Sequence, residues 1–210
     1  MKKYILSLSI LLIITGIFGF NTYEPVVKRH KSIVIKEKLK INITVMGDVK
    51  NEDVELVKSE LIKFYNAEVV ILPKTNLLTK TKVVGLNKYN ANEILDNINR
   101  LYSDKTHKVL MLTNVDICTD RELNGVVYKN WGVFGLGQLN KKPCVVSIHR
   151  FKTNYKDKLI KVSIHEIGHT LNIPHCDSNK CIMNDAKGKG SNVDEESLFM
   201  CNHCKLKIKY

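Results

Sequence analysis

The 210-residue chain has no internal repeat and no low-complexity block, which excludes a repeat array and leaves length enough for one domain with a proper core. Acidic residues are scarce: 21 Asp and Glu stand against 33 Lys and Arg, for a formal net charge of +12. Such an excess raises nucleic acid and anionic membrane as partners. The basic clusters at Lys28 to Lys40 and Lys205 to Lys209 lack interleaved aromatics and any recognised binding motif. They read as a solvated tether and tail, and no nucleic-acid partner is expected.

Small residues that would mark a cleavage site are nearly missing at the start of the chain. Lys2 and Lys3 precede an apolar run from Tyr4 to Phe20, whose length falls between a signal-peptide core and a full membrane span. Ile17-Phe18-Gly19 is a weak cleavage candidate, so a cleaved signal and a retained anchor stay equally open. Residues 1–20 are expected as a signal peptide or N-terminal membrane anchor, 21–40 as a basic tether and 41–210 as the folded domain. The domain is then exported or membrane-anchored, with membrane contact through the uncleaved N-terminal segment. The alternative is a cytoplasmic protein with an apolar first helix. Removal of Lys2 and Lys3 with the leader lowers the charge from +12 to +10.

What is present is concentrated near residue 170. The run His165-Glu166-Ile167-Gly168-His169-Thr170-Leu171-Asn172-Ile173-Pro174-His175-Cys176 holds three histidines and a carboxylate. If residues 158–171 are helical, His165 and His169 project from one face about 6 Å apart and can share a metal. Glu166 leaves the helix about 100° from His165, toward the open side of the same ion. There it can serve as base to a water whose pKa zinc lowers from about 15.7 to about 7. Asn172 tolerates the left-handed backbone of a sharp turn, and Pro174 stops the helix from resuming, so that His175 swings back as a third ligand. Ordinary helix and loop histidines with accidental spacing are the alternative. The third histidine, reached through a turn, favours the metal.

Cys176 with Cys181, and Cys201 with Cys204, give two ligand pairs of the kind that close a tetrahedral thiolate zinc site with no open position. Cys176 adjoins His175, so a zinc there would fix the catalytic loop. Two disulfides, or a redox-active pair at Cys201 and Cys204, compete with that reading, the more so in an exported chain. His203 reads as a solvated bystander. Cys118 and Cys144 read as buried thiols in strands, or as a pair if the domain is exported.

Periodicity supplies a coarse fold. Ile41 to Met46 alternates as a strand, Asn51 can cap a helix to about Tyr65, and Ala67 to Leu72 is a second strand. Asn90 with Glu93 resembles a capping box that opens a helix to about Tyr102, with Ile94, Leu95, Ile98 and Leu101 on one face. Val109 to Thr113, Gly125 to Tyr128 continuing through Trp131 to Gly137, and Cys144 to His149 read as strands. Lys156 begins the helix that carries His165.

These motifs together resemble the archaemetzincins, a family in the metzincin clan of zinc peptidases. That family's motif continues past the third histidine with Cys, four residues, Cys-x-Met, seventeen residues and Cys-x-x-Cys. Cys176, Cys181-Ile182-Met183 and Cys201-Asn202-His203-Cys204 keep all of these spacings. Asn172 departs from it, standing where the family usually has glycine. The resemblance implies an α/β (α+β) fold: a mixed twisted sheet with a backing helix, an active-site helix, and a small C-terminal zinc-stapled subdomain with a terminal helix. It implies two zinc ions, one catalytic at His165, His169 and His175 and one structural at the four cysteines. It also places Met183 in a turn beneath the catalytic metal, and makes Gly132 to Leu139 the edge strand along which extended substrate lies antiparallel. Gly135 and Gly137 then reflect close approach of substrate or, equally, only a bulge or turn.

The expected function is zinc-dependent hydrolysis of a peptide or protein substrate by a monomer, with Glu166 as base and then acid. Aminopeptidase and endopeptidase activity both fit. No residue can be assigned to hold a substrate amine, no Tyr or Arg next to Met183 offers itself to the oxyanion, and Asn184 is the nearest polar group. A metal- or peptide-binding module with little turnover is the alternative, and Glu166 argues against it.

Overall fold

The computed structural model describes residues 38–76, 79–102, 107–185, 193 and 197–208, all within one compact unit, Lys36–Tyr210. The expected leader, and the tether up to residue 37, lie outside the described residues. Among those described, no helix is long and apolar enough to cross a membrane.

The main sheet begins with β1 (Lys40–Met46), followed by α1 (Asn51–Tyr65) and β2 (Glu68–Ile71). Next come β3 (Tyr89–Asn90), α2 (Ala91–Leu101) and β4 (Lys108–Thr113). The remaining strands are β5 (Ile117–Leu123), β6 (Val126–Val133), β7 (Gly135–Gly137) and β8 (Pro143–Ser147). Then come α3 (Tyr155–Thr170) and the short α4 (Asn202–Lys205). Five strands join in the order β2-β1-β4-β8-β7, with β7 antiparallel to β8 and every other pairing parallel. Strands β3, β5 and β6 make a second, smaller sheet.

Strand alternation sorts the core onto two faces. Ile41, Ile43, Leu110, Leu112, Cys144 and Val146 pack with residues of α1 and α3. Val109, Met111 and Val145 pack on the other side with Ile94, Leu95 and Ile98 of α2. A parallel sheet covered on both faces buries its polar positions too. Asn42 and Thr44 of β1 are therefore buried despite the alternating pattern, and Thr44 is satisfied by the Pro73 carbonyl and the Thr75 hydroxyl.

Several expectations shift on the structure. Asn51 does not cap α1: it is the first helical residue, the cap position is Lys50, and no side chain bonds the helix start. Asn90 does cap α2, accepting from the N–H groups of Asn92 and Glu93. Leu101, at the end of that helix, is exposed rather than on the core face. Strand β5 is absent from the periodicity reading, because Asp120-Arg121-Glu122 break its apolar pattern. Its hairpin with β6 turns at Asn124 and Gly125, which both have positive φ (51° and 77°) as a type I′ turn demands. That Asn-Gly pair was the signal for the missing strand.

Candidate active site

Helix α3 carries the site, and other elements fix its height and rotation. The Tyr65 hydroxyl of α1 donates to the Ile164 carbonyl at 2.8 Å, one residue before His165. Gly168 has no side chain because Met183, fully buried, lies against the helix there. The helix ends as the sequence requires. Asn172 takes φ +66°, its N–H bonds the His169 carbonyl at 2.9 Å, and the Ile173 N–H bonds the Gly168 carbonyl at 3.1 Å. This is a Schellman motif with Asn in the left-handed position that glycine usually fills.

The turn brings His175 back to the helix. Ring centroids lie 4.6 Å apart for His165 and His169, 5.3 Å for His165 and His175, and 4.8 Å for His169 and His175. One ligand nitrogen from each ring falls within 4.8 Å of the others. His165 Nδ1 lies 2.8 Å from the Ile182 carbonyl, and His169 Nδ1 lies 2.8 Å from the Ile173 carbonyl. A carbonyl only accepts, so each Nδ1 carries the proton and each Nε2 keeps a free lone pair, the arrangement a metal ligand needs. Burial drives the pKa down to about 3 for His165 and about 4 for His169, which keeps both rings neutral. The donor set fits a zinc held by three imidazoles.

Glu166 is buried beside this cluster. Burial raises its carboxyl pKa to about 8, against the opposing effect of a hydrogen bond from the Gly137 backbone. A Cβ at Gly135 would lie 2.7 Å from the Glu166 side chain, and one at Gly137 would lie 2.5 Å from the Glu166 carbonyl oxygen. The two glycines thus answer to a cause the sequence reading did not weigh, the close approach of α3 and its carboxylate to strand β7. Both also line a cavity of about 290 Å³ shared with His165, Glu166, His169 and His175. Of the segment Gly132 to Leu139 expected as the edge strand, only Gly135–Gly137 (β7) forms an edge of the main sheet; Gly132 and Val133 belong to β6 of the smaller sheet.

The four cysteines gather separately, one sulfur from each within 4.8 Å of the rest. Cys176 Sγ and Cys201 Sγ are 3.8 Å apart, about the edge of a tetrahedron with 2.3 Å zinc–sulfur arms and far beyond a bonded 2.05 Å. All six cysteines are free, and Cys118 and Cys144 are buried thiols in β5 and β8. The Cys204 N–H lowers the Cys201 thiol to about 7, easing thiolate formation. The two clusters are physically joined: the Cys176 N–H bonds the Met183 carbonyl at 2.8 Å, and Asn184 Nδ2 donates to the Cys176 carbonyl at 2.9 Å. Asn184 therefore braces the loop and does not line the cavity.

Two charged lining residues were not found by sequence reasoning. Arg121 of β5 and Asp185 approach to 3.6 Å at the cavity, and the Arg121 guanidinium carbon lies 5.8 Å from the centre of the Trp131 ring. Arg121 was hidden with its strand. Asp185, two residues past Met183, adds a carboxylate to the lining.

The sequence model of peptidase family M54 matches residues 30–210. An archaemetzincin from Halobacterium salinarum (strain R1) is 30% identical over 184 residues, covering 81% of this chain and 99% of the relative. The archaemetzincin of Archaeoglobus fulgidus is 30% identical over 166 residues, 77% of this chain and 94% of the relative. A crystal structure of the Archaeoglobus fulgidus protein complexed with malonate aligns with a TM-score of 0.66 at 30% identity, covering 81% of this chain and 100% of that one. The structure from Methanopyrus kandleri shares the fold, with a TM-score of 0.65 at 23% identity over 81% of this chain and 93% of its own.

These relatives correct one expectation. Export or membrane anchoring is overturned by the match to archaeal proteins over 99% and 94% of their lengths. Residues 4–20, from which signal and membrane contact were expected, lie outside the described residues and before the matched 30–210. The chain is a zinc metallopeptidase of peptidase family M54, the archaemetzincins.

Proposed function

We propose that Glu166 is the base and acid of peptide-bond hydrolysis at a zinc held by His165, His169 and His175. A second, structural zinc sits among Cys176, Cys181, Cys201 and Cys204, giving two ions per chain. Zinc bound at the imidazoles supplies Lewis-acid polarisation of the peptide carbonyl and acidifies water. Glu166 takes a proton from the attacking water at its carboxylate and returns it to the leaving amine nitrogen. The Gly137 N–H holds that carboxylate in place, and the bare positions at Gly135 and Gly137 leave it room. The Ile182 and Ile173 carbonyls orient the two helical imidazoles. Asn172 turns His175 inward, and Met183, packed at Gly168, supports the floor of the site. An extended substrate adds to the edge strand β7 in antiparallel pairing, which gives affinity through the backbone.

One observation carries this reading: a buried carboxylate clamped between two side-chain-free positions of an edge strand, within the cavity lined by the three histidines. A binding module has no need of it, since burying an unneeded carboxylate only costs stability. Glu166→Ala should keep two zinc ions per chain, measured by metal analysis, and lose cleavage of a broad peptide library. Undiminished cleavage by the variant would remove the proposed base.

A further inference from the structure

A second cavity, about 330 Å³, adjoins the catalytic one and shares Phe134 with it. Its other lining residues are Asp116, Gly132, His149, Arg150 and Lys152. Nothing in the hydrolytic reading uses it. Its charge is one-sided: two permanent cations and an imidazole surround one carboxylate. That carboxylate is already engaged, because Arg150 Nε and Nη2 donate to its two oxygens at 2.7 and 2.8 Å.

Two features show that this arginine is built in rather than lying on the surface. The Asp116 side chain is only 12% exposed, so the planar two-pronged pair fixes the guanidinium from beneath. The guanidinium also packs directly over Gly132, where an added Cβ would meet it. Nη1 makes no hydrogen bond to another described residue. His149 and Lys152 stand exposed beside it.

We infer that this cavity is a carboxylate-binding subsite for the part of a peptide that follows the scissile bond. The inference rests on the antiparallel pairing with β7 proposed above. A peptide so paired runs against the direction Gly135 to Gly137, so its C-terminal side travels toward Phe134 and then Gly132. At about 3.3 Å per residue, the carboxylate belongs about two to four residues beyond the bond beside Glu166. Arg150 meets it through a fixed planar group, and Lys152 and His149 close on it as mobile donors. The carboxylate is either the terminus of a short peptide or an Asp or Glu side chain of a longer one.

The test uses the full-length, zinc-loaded protein and three peptides of one cleavable sequence. The first ends in a free carboxylate three residues past the scissile bond, the second ends there in an amide, and the third is the amide with Glu as its last residue. The amide should show a KM roughly three- to thirtyfold above that of the free acid, with kcat little changed. A low KM restored by Glu assigns the subsite to side chains as well as termini; a KM left high assigns it to the terminus. In the double variant His149→Gln/Lys152→Gln, which leaves the Arg150–Asp116 pair intact, the preference should shrink while amide hydrolysis is kept. Equal KM for all three peptides overturns the subsite and leaves the peptidase reading standing. Undiminished cleavage of all three by Glu166→Gln overturns the hydrolytic reading on which the subsite rests, a result distinct from equal KM.

Discussion

The three-histidine cluster and the four-cysteine cluster lie next to each other in sequence and are built to opposite ends. The histidines open on a cavity, with His175 exposed and Glu166 beside them. The cysteines are turned inward, with Cys181 and Cys204 buried and, among the described residues, no carboxylate in their cluster. Three nitrogen ligands and an open face suit chemistry, while four thiolates with none suit stapling. The cysteine loop also serves the open site: the Cys176 N–H bonded to the Met183 carbonyl and the Asn184 side chain bonded to the Cys176 carbonyl lock the return loop of His175 to the floor beneath α3. In the proposed two-zinc reading, one metal type has two uses, set by ligand number and access.

Breaking the open side alone should give the largest effect on activity. Glu166→Gln is expected to lower kcat/KM roughly 100- to 10,000-fold with an unchanged unfolding temperature, read by peptide hydrolysis and calorimetry. Gly135→Val places a side chain where the Glu166 carboxylate sits, and moving that group by about 1 Å should cost roughly 100-fold in kcat. Breaking the closed side should act on stability first. Cys181→Ser with Cys204→Ser should lower stability by about 3 kcal/mol or more, and activity only as His175 loses its anchorage. Gly168→Val drives into Met183 and should cost about 1–3 kcal/mol by over-packing, seen as a lower denaturant midpoint. The smallest effect is expected at the turn: Asn172→Gly relieves a left-handed Asn and should shift stability by no more than about 1 kcal/mol, with activity kept.

How much of this was legible in the sequence follows the same division. Both ligand clusters were readable because metal ligands on a helix and turn obey local spacing, and the Schellman turn at Asn172 is a local device too. The clamp on Glu166 was not, since Gly135 and Gly137 meet α3 only after β7 has paired with β8, across about thirty residues of chain. Arg121 was missed because three consecutive charged residues hid β5, although the Asn124-Gly125 turn marked its end. The alternation through Asn42 and Thr44 marked β1 as a strand but not that both are buried, because helices cover both faces of the parallel sheet. The apolar run before residue 21 suggested export, and that expectation did not survive the match to archaeal relatives.

The division of labour between the two clusters is tested most directly by stepwise metal removal from the full-length protein, following zinc content, hydrolysis and unfolding temperature together. Two zinc ions per chain are expected. The first to leave under a mild chelator should take all activity and barely change the unfolding temperature, and the second should leave only as the C-terminal region unfolds. A single zinc per chain, or activity that survives loss of the first ion and falls with the second, would contradict the assignment of an open catalytic site and a closed structural one.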